Sequence, residues 1–119
     1  MKSMLRTVND HGLEYPCLMF ICPGCAEDLG SGLHMLPVNT TVKEPAWSWD
    51  GNLEKPTITP SILTGRDSDK ICHSYLKEGI FQFLEDSTHS LAGTFVEIPD
   101  LPDWVIDEEP YNGTNGAST

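Results

Sequence analysis

The chain has 119 residues, 39% of them apolar, with Gly 10 and Pro 9, enough for one small domain and too little for a second full core. Lys and Arg total 7 against 18 Asp and Glu, for a formal net charge of -11 and a pI near 4.5, the wrong sign for neutralising phosphates; direct nucleic-acid binding is not expected. The longest apolar run, Cys17 to Cys22, is far short of the roughly 18 residues a membrane helix needs, and Met1 to Arg6 leads into no apolar signal region, so a cytoplasmic protein with no membrane contact is expected.

In chain order, short apolar or β-branched runs bounded by Gly, Pro, Asn and Asp predict strands near 15–22, 34–39, 46–50, 57–62, 71–76, 80–84 and 94–98. No window sustains the i, i+3, i+4 apolar pattern of a helix. The expected fold is mainly β: a small antiparallel sheet or two packed hairpin layers with a zinc knuckle and little helix. The expected domain is 1–99, followed by an acidic extension at 100–119.

His11, between Asp10 and Gly12, reads as an exposed loop residue. The first segment to carry chemistry is Cys22-Pro23-Gly24-Cys25. A C-x2-C turn aims backbone N–H groups at its sulfurs and offers two corners of a tetrahedral site. The same spacing suits a redox dithiol at the head of a helix, or two reduced structural thiols, but no such helix is evident in the sequence. Zinc is therefore the expected cofactor. Cys17 lies five residues before Cys22, on the other face of a strand, and reads as a core thiol. Cys72 is the expected third ligand. The fourth is His89 or His34, each in or beside a loop that can approach the knuckle, with His89 preferred.

Further along, Trp47 and Trp49 share a strand face before the Asp50-Gly51-Asn52 turn, and Pro56 and Pro60 hold Thr57-Ile58-Thr59 extended. A hairpin is expected from Ile71–Leu76 and Ile80–Leu84 around Lys77-Glu78-Gly79. Strand alternation puts Cys72, Ser74 and Leu76 on one face and His73 and Tyr75 on the other, so Cys72 and His73 are not expected to share a metal. Residues 85–93 form one helical turn or a compact loop, with Asp86 or Ser87 capping it and Gly93 ending it. No base follows Lys77. In the acidic end, Asp103, Trp104, Asp107, Glu108 and Glu109 either belong to a solvated strap packed on the domain or dock on a partner with a basic surface. The last residues hold nothing to bury and are expected to be disordered.

Together these motifs resemble a family of small, functionally unassigned zinc-binding proteins of bacteria, prophages and tailed phages. The resemblance rests on Phe20 to Cys25, Trp47 to Asn52, Lys55-Pro56-Thr57 with Pro60-Ser61-Ile62, Cys72-His73-Ser74, and Asp86 to His89 with Leu91-Ala92-Gly93. Some members are similar to gene neighbours of bacterial ubiquitin-like conjugation systems. The chain departs from the pattern at Ala26 and Asp50, where glycine and asparagine are usual. A longer insertion before His34 also weakens the transfer of that residue as a ligand. The resemblance groups Trp47, Trp49, Thr57, Ser61, His73, Asp86 and His89 as the lining of a ligand pocket. The residues equally suit tryptophans in the core, hydroxyls as turn donors, and Asp86 as a cap or as the partner of a ligating histidine.

The expected function is that of a zinc-stabilised phage or prophage accessory protein that binds a host or phage protein through its acidic surface, with anti-defence as one role. One alternative is a zinc-dependent hydrolase with Asp86 or Glu85 as base, or a small-molecule binder walled by Trp47, Trp49, His73 and Asp86. Another is a virion component. HExxH, the zinc deaminase signature and two-metal aspartate patterns are absent from the sequence, so an enzyme is the less favoured class.

Overall fold

In the computed structural model, which describes residues 1–29 and 31–106, the chain opens with β1 (Met4–Asp10), β2 (Leu13–Ile21) and β3 (Leu33–Pro37), an antiparallel sheet in that order. His11 and Gly12 turn β1 into β2 with φ of 53° and 91°, the positive pair a two-residue hairpin requires. β1 was not expected from the sequence. Its alternate, half-buried positions are Met4, Arg6, Val8 and Asp10, so two charges interrupt the apolar period that would announce a strand.

The knuckle also differs from expectation, because it opens a helix, α1 (Pro23–Leu29). Pro23 suits the first helical position, where its missing N–H costs nothing. Cys22 acts as the cap: its carbonyl accepts from Ala26 N at 2.9 Å and its Sγ from Cys25 N at 3.5 Å. A seven-residue helix is too short to display an apolar period, so only its cap could have signalled it.

The second sheet, also antiparallel, runs β4 (Ser48–Trp49), β5 (Ile58–Thr64), β6 (Cys72–Lys77), β7 (Ile80–Phe83) and β8 (Phe95–Glu97) in sequential order. The β6–β7 turn consists of Glu78 and Gly79, with φ of 49° and 76°, and Lys77 pairs with Ile80. Its inner positions Cys72, Ser74, Leu76, Phe81 and Phe83 are buried, and the apolar members pack with Leu18, Phe20 and Leu36 of the first sheet. Both Trp47 and Trp49 lean on this core.

β2 is covered on both faces, which accounts for its unbroken apolar run. Opposite the main core, Met19 packs with Leu101 and Val105; Val105 lies on α2 (Asp103–Ile106). Leu101 N donates to Met1 O at 2.8 Å. The start of the acidic segment is therefore a strap on the domain, and burying its Leu and Val is worth about 1.5–3 kcal/mol each. Trp104 remains exposed. Asp107, Glu108, Glu109 and the end expected to be disordered lie outside the described residues. Among the described residues, no helix is long and apolar enough to cross a membrane.

Candidate active site and metal centre

The segment Asp86-Ser87-Thr88-His89 is fastened residue by residue to Ile71-Cys72-His73, where β6 begins. Thr88 N donates to Ile71 O at 2.8 Å, and Ile71 N donates to Thr88 Oγ1 at 2.8 Å. Ser87 Oγ accepts from His73 N at 2.9 Å and donates to His73 O at 3.1 Å. The hydroxyls thus satisfy strand backbone where no β-strand partner runs. Residues 85–93 form a compact loop rather than a helical turn, and Ser87 clamps β6 instead of capping a helix. With the middle of the segment fixed, Asp86 and His89 meet opposite faces of β6.

On the outer face, Asp86 Oδ2 lies 3.0 Å from His73 Nδ1, and His73 Nε2 lies 3.0 Å from Ser61 Oγ. Ser61 lies in β5 where its register with β6 shifts, between Ile58 and Ile62. Ile58 and Ile62 are both buried, so alternation between them turns Ser61 to the outer face that His73 shares, and Pro60 has no N–H to hold the ladder regular. Behind it, the Trp47 indole N–H donates to Ser61 O at 3.2 Å, fixing the backbone of the serine. The His73 side chain is 23% exposed and that of Asp86 57%, so the group opens onto the surface. A serine hydroxyl, an imidazole and a carboxylate connected in this order are the parts of an activated nucleophile.

The inner face carries sulfur. The Sγ atoms of Cys22, Cys25 and Cys72 all lie within 4.8 Å of one another, and all three residues are buried. Cys22 and Cys72 are 3.7 Å apart, close to the edge of about 3.8 Å that Zn–S bonds of about 2.3 Å give a tetrahedron. Hydrogen bonds from Cys22 and Cys72 hold the Cys25 thiol well below its ordinary pKa. The same sharing pushes Cys22 up to about 12, Cys25 being the main cause, and raises Cys72, Cys22 being the main cause. One thiolate served by two thiols is a set whose remaining protons a cation would replace.

Two imidazoles touch the cluster. His89 is buried, and its Nε2 lies 3.3 Å from Cys72 Sγ, against an S–N edge of about 3.6 Å in a zinc tetrahedron. Gly24 makes room for this ring: a Cβ there would overlap it and come within 2.9 Å of Phe83. Leu91 N donates to His89 Nδ1 at 3.2 Å, which leaves the ring proton of the neutral imidazole on Nε2, facing Cys72. Ligation through Nε2 requires that proton to move to Nδ1, which ends the Leu91 hydrogen bond. His34, its ring tilted by 32° against Phe20 with centroids 5.4 Å apart, lies near enough to Cys25 to help lower its thiol pKa. The three cysteines fit a soft divalent ion, with an imidazole at hand for a fourth corner.

Residues 2–84, more than two thirds of the chain, match the model of a family described as "Bacterial ubiquitination-like system serine protease (BubE)". The chain belongs to the BubE family. The matched range contains Ser61, His73 and the three clustered cysteines and ends just short of Asp86 and His89. No curated protein and no solved structure matches the chain.

The structure brings together Cys22, Cys25, Cys72 and His89 on one side of the sheet, and His73 and Asp86 on the other. Cys17 is buried and lies outside the sulfur cluster. Trp47 braces Ser61, its indole N–H donating to Ser61 O, and the Trp49 indole N–H donates to Asn52 O at 3.1 Å. The residue that sequence reasoning underrated is Ser61, considered only as a pocket hydroxyl or a turn donor. Ser61, His73 and Asp86 are separated by 12 and 13 residues, so no local motif joins them. The available signal was the exclusion of His73 from the metal face, which left an imidazole in need of another partner. The helix at the knuckle removes one argument against a redox dithiol; the third thiol in contact supplies the stronger argument for metal.

Proposed function

We propose that the chain is a serine hydrolase of polypeptides, with Ser61 as nucleophile, His73 as general base and Asp86 as the group that orients it, on a scaffold stapled by structural zinc. The observation that carries this reading is the pair of 3.0 Å contacts from His73 to Ser61 and Asp86. The family description, which names a serine protease of a bacterial ubiquitination-like system, supports it.

In the proposed mechanism Asp86 accepts the Nδ1 proton of His73 in a hydrogen bond, leaving Nε2 free to accept from Ser61. Ser61 Oγ attacks a substrate carbonyl carbon as its proton passes to Nε2. His73 then gives that proton to the departing nitrogen as the C–N bond breaks, leaving an ester on Ser61. Water, losing a proton to His73, cleaves the ester, and the proton returns to Ser61. Cys22, Cys25 and Cys72, with His89 as the proposed fourth ligand, would hold zinc as a structural cross-link at the start of β6, beside His73. Asp86 is engaged with His73 on the face opposite the sulfur cluster, which favours this mechanism over zinc-bound water with Asp86 as base.

The test is covalent labelling with a fluorophosphonate, followed by mass spectrometry of the intact protein and its peptides. A single adduct on Ser61, absent in Ser61→Ala and strongly slowed in His73→Ala, supports the mechanism. A wild-type protein that takes no label while folded and metal-loaded rules it out.

A second reading concerns partners: exposed Trp104 beside Asp103 favours α2 as an acidic docking element for a basic protein surface, the setting in which a phage or prophage anti-defence role would operate. Loss of capture in Trp104→Ala with Asp103→Lys, at unchanged melting temperature, is the expected result.

A further inference from the structure

Next to the proposed catalytic group, the outer face of the second sheet carries apolar side chains that the triad does not use. Tyr75 follows His73 by two positions on β6 and so points the same way, about 7 Å further along the strand. Across the sheet Tyr75 pairs with Gln82, and Gln82 with Phe95, so one outward row runs Tyr75–Gln82–Phe95. In the next row Ile80 pairs with Lys77. Tyr75 and Ile80 are 44% exposed and Phe95 is 70% exposed, an unusual cost for large apolar groups on a small, highly charged protein. They line an open groove of about 430 Å³ with Thr57 and Thr59. The groove is mostly apolar, and its Thr59 end stands two residues from Ser61.

We infer that this groove, through Tyr75, Ile80 and Phe95, selects a large apolar side chain of the polypeptide substrate within two residues of the bond that Ser61 attacks. The inference rests on the proposed function and adds the substrate's chemistry to it. An extended peptide advances about 3.3 Å per residue, so two residues span the distance from the His73 row to the Tyr75 row. A polypeptide lying along the face would therefore place its carbonyl at Ser61 and a neighbouring side chain over the Tyr75–Phe95 row. Gln82, between the two rings, offers the one amide in that row for the substrate backbone. The volume suits one or two side chains, and burying them supplies binding free energy next to the reacting carbonyl.

The experiment uses the full-length, metal-loaded protein and fluorogenic peptides carrying Ala, Leu or Phe at each of the four positions around the cleaved bond, with fluorophosphonate labelling run in parallel. Wild type should favour Leu or Phe over Ala at one position by about tenfold or more in kcat/KM, as one well-filled apolar pocket allows. Phe95→Ala and Tyr75→Ala should each shrink that preference several-fold, mainly through KM, while Ser61 still takes the label. Val42→Ala, an exposed apolar position outside the groove, should leave the preference intact. Labelled wild type with no apolar preference, or variants that keep it in full, would overturn the groove assignment and leave the triad standing. Failure of wild-type Ser61 to label is the separate result that removes the proposed function itself.

Discussion

The Glu27 carboxylate accepts from both the backbone N–H and the hydroxyl of Ser90, at 2.9 and 2.6 Å. This links α1, which carries Cys25, to the loop that carries Asp86 and His89. Two charge-assisted hydrogen bonds across 63 residues of sequence hold the loop at a second point besides its attachment to β6.

That link gives a pH dependence with a definite sign. Hydrogen bonds from Ser90 lower the Glu27 pKa below its ordinary 4.5, so folding favours the ionised form. The resulting stability is fully present above the unfolded value and disappears as pH falls through the lowered folded value. Melting curves of wild type and Glu27→Gln should therefore differ near pH 6 and converge in acid. A gap that widens on acidification would show that the link is not electrostatic.

Ser61→Ala should lower peptide hydrolysis by about 10³-fold or more. Ser61 is half-buried and its hydroxyl meets only His73 among the described contacts, so the melting temperature should hardly move. Steady-state kinetics and calorimetry on the same preparation check both halves.

Asp86→Asn keeps the shape and loses the charge that orients His73. The expected loss is about 10³–10⁴-fold in kcat with little change in KM. Equal activity in this variant would reduce Asp86 to a surface neighbour.

Metal and activity should fall together. Cys72→Ser removes a cluster sulfur one residue from His73, and the expected outcomes are loss of bound zinc, a stability loss on the order of several kcal/mol and loss of Ser61 labelling. Stripping wild type with a strong chelator should do the same, and readdition of zinc should restore both. A stripped protein that still labels at full rate would separate the two faces of β6.

The two imidazoles at the cluster can be told apart by elemental analysis. His89→Ala should lose zinc stoichiometry or affinity, whereas His34→Ala should retain the metal. The reverse result would keep His89 as a hydrogen-bond donor to Cys72, the role its contact with Leu91 already permits.

Some of this was legible in the residues themselves. Alternation in Cys72-His73-Ser74-Tyr75-Leu76 separates the thiol from the imidazole, and the folded β6 keeps that separation. Gly79 marks the turn, and Cys22-Pro23-Gly24-Cys25 marks the sulfur site. What stayed hidden depended on register or on polar residues at inward positions. Arg6 and Asp10 mask β1, and the register of β5 with β6, which shifts between Ile58 and Ile62 and decides which residues lie beside His73, has no signature in a list of side chains. The Asp86–His73 pairing depends on Ser87 and Thr88 being clamped to β6, a contact between distant segments that no local pattern announces.

The spacing of the parts also orders events at the ribosome. Cys22 and Cys25 emerge as an open thiol pair and wait for Cys72, 50 positions after Cys22. His73 follows in the next residue, and Asp86 arrives 13 later. On the proposed mechanism the nascent chain lacks its assembled catalytic group until Ser61, His73 and Asp86 have all emerged and folded together.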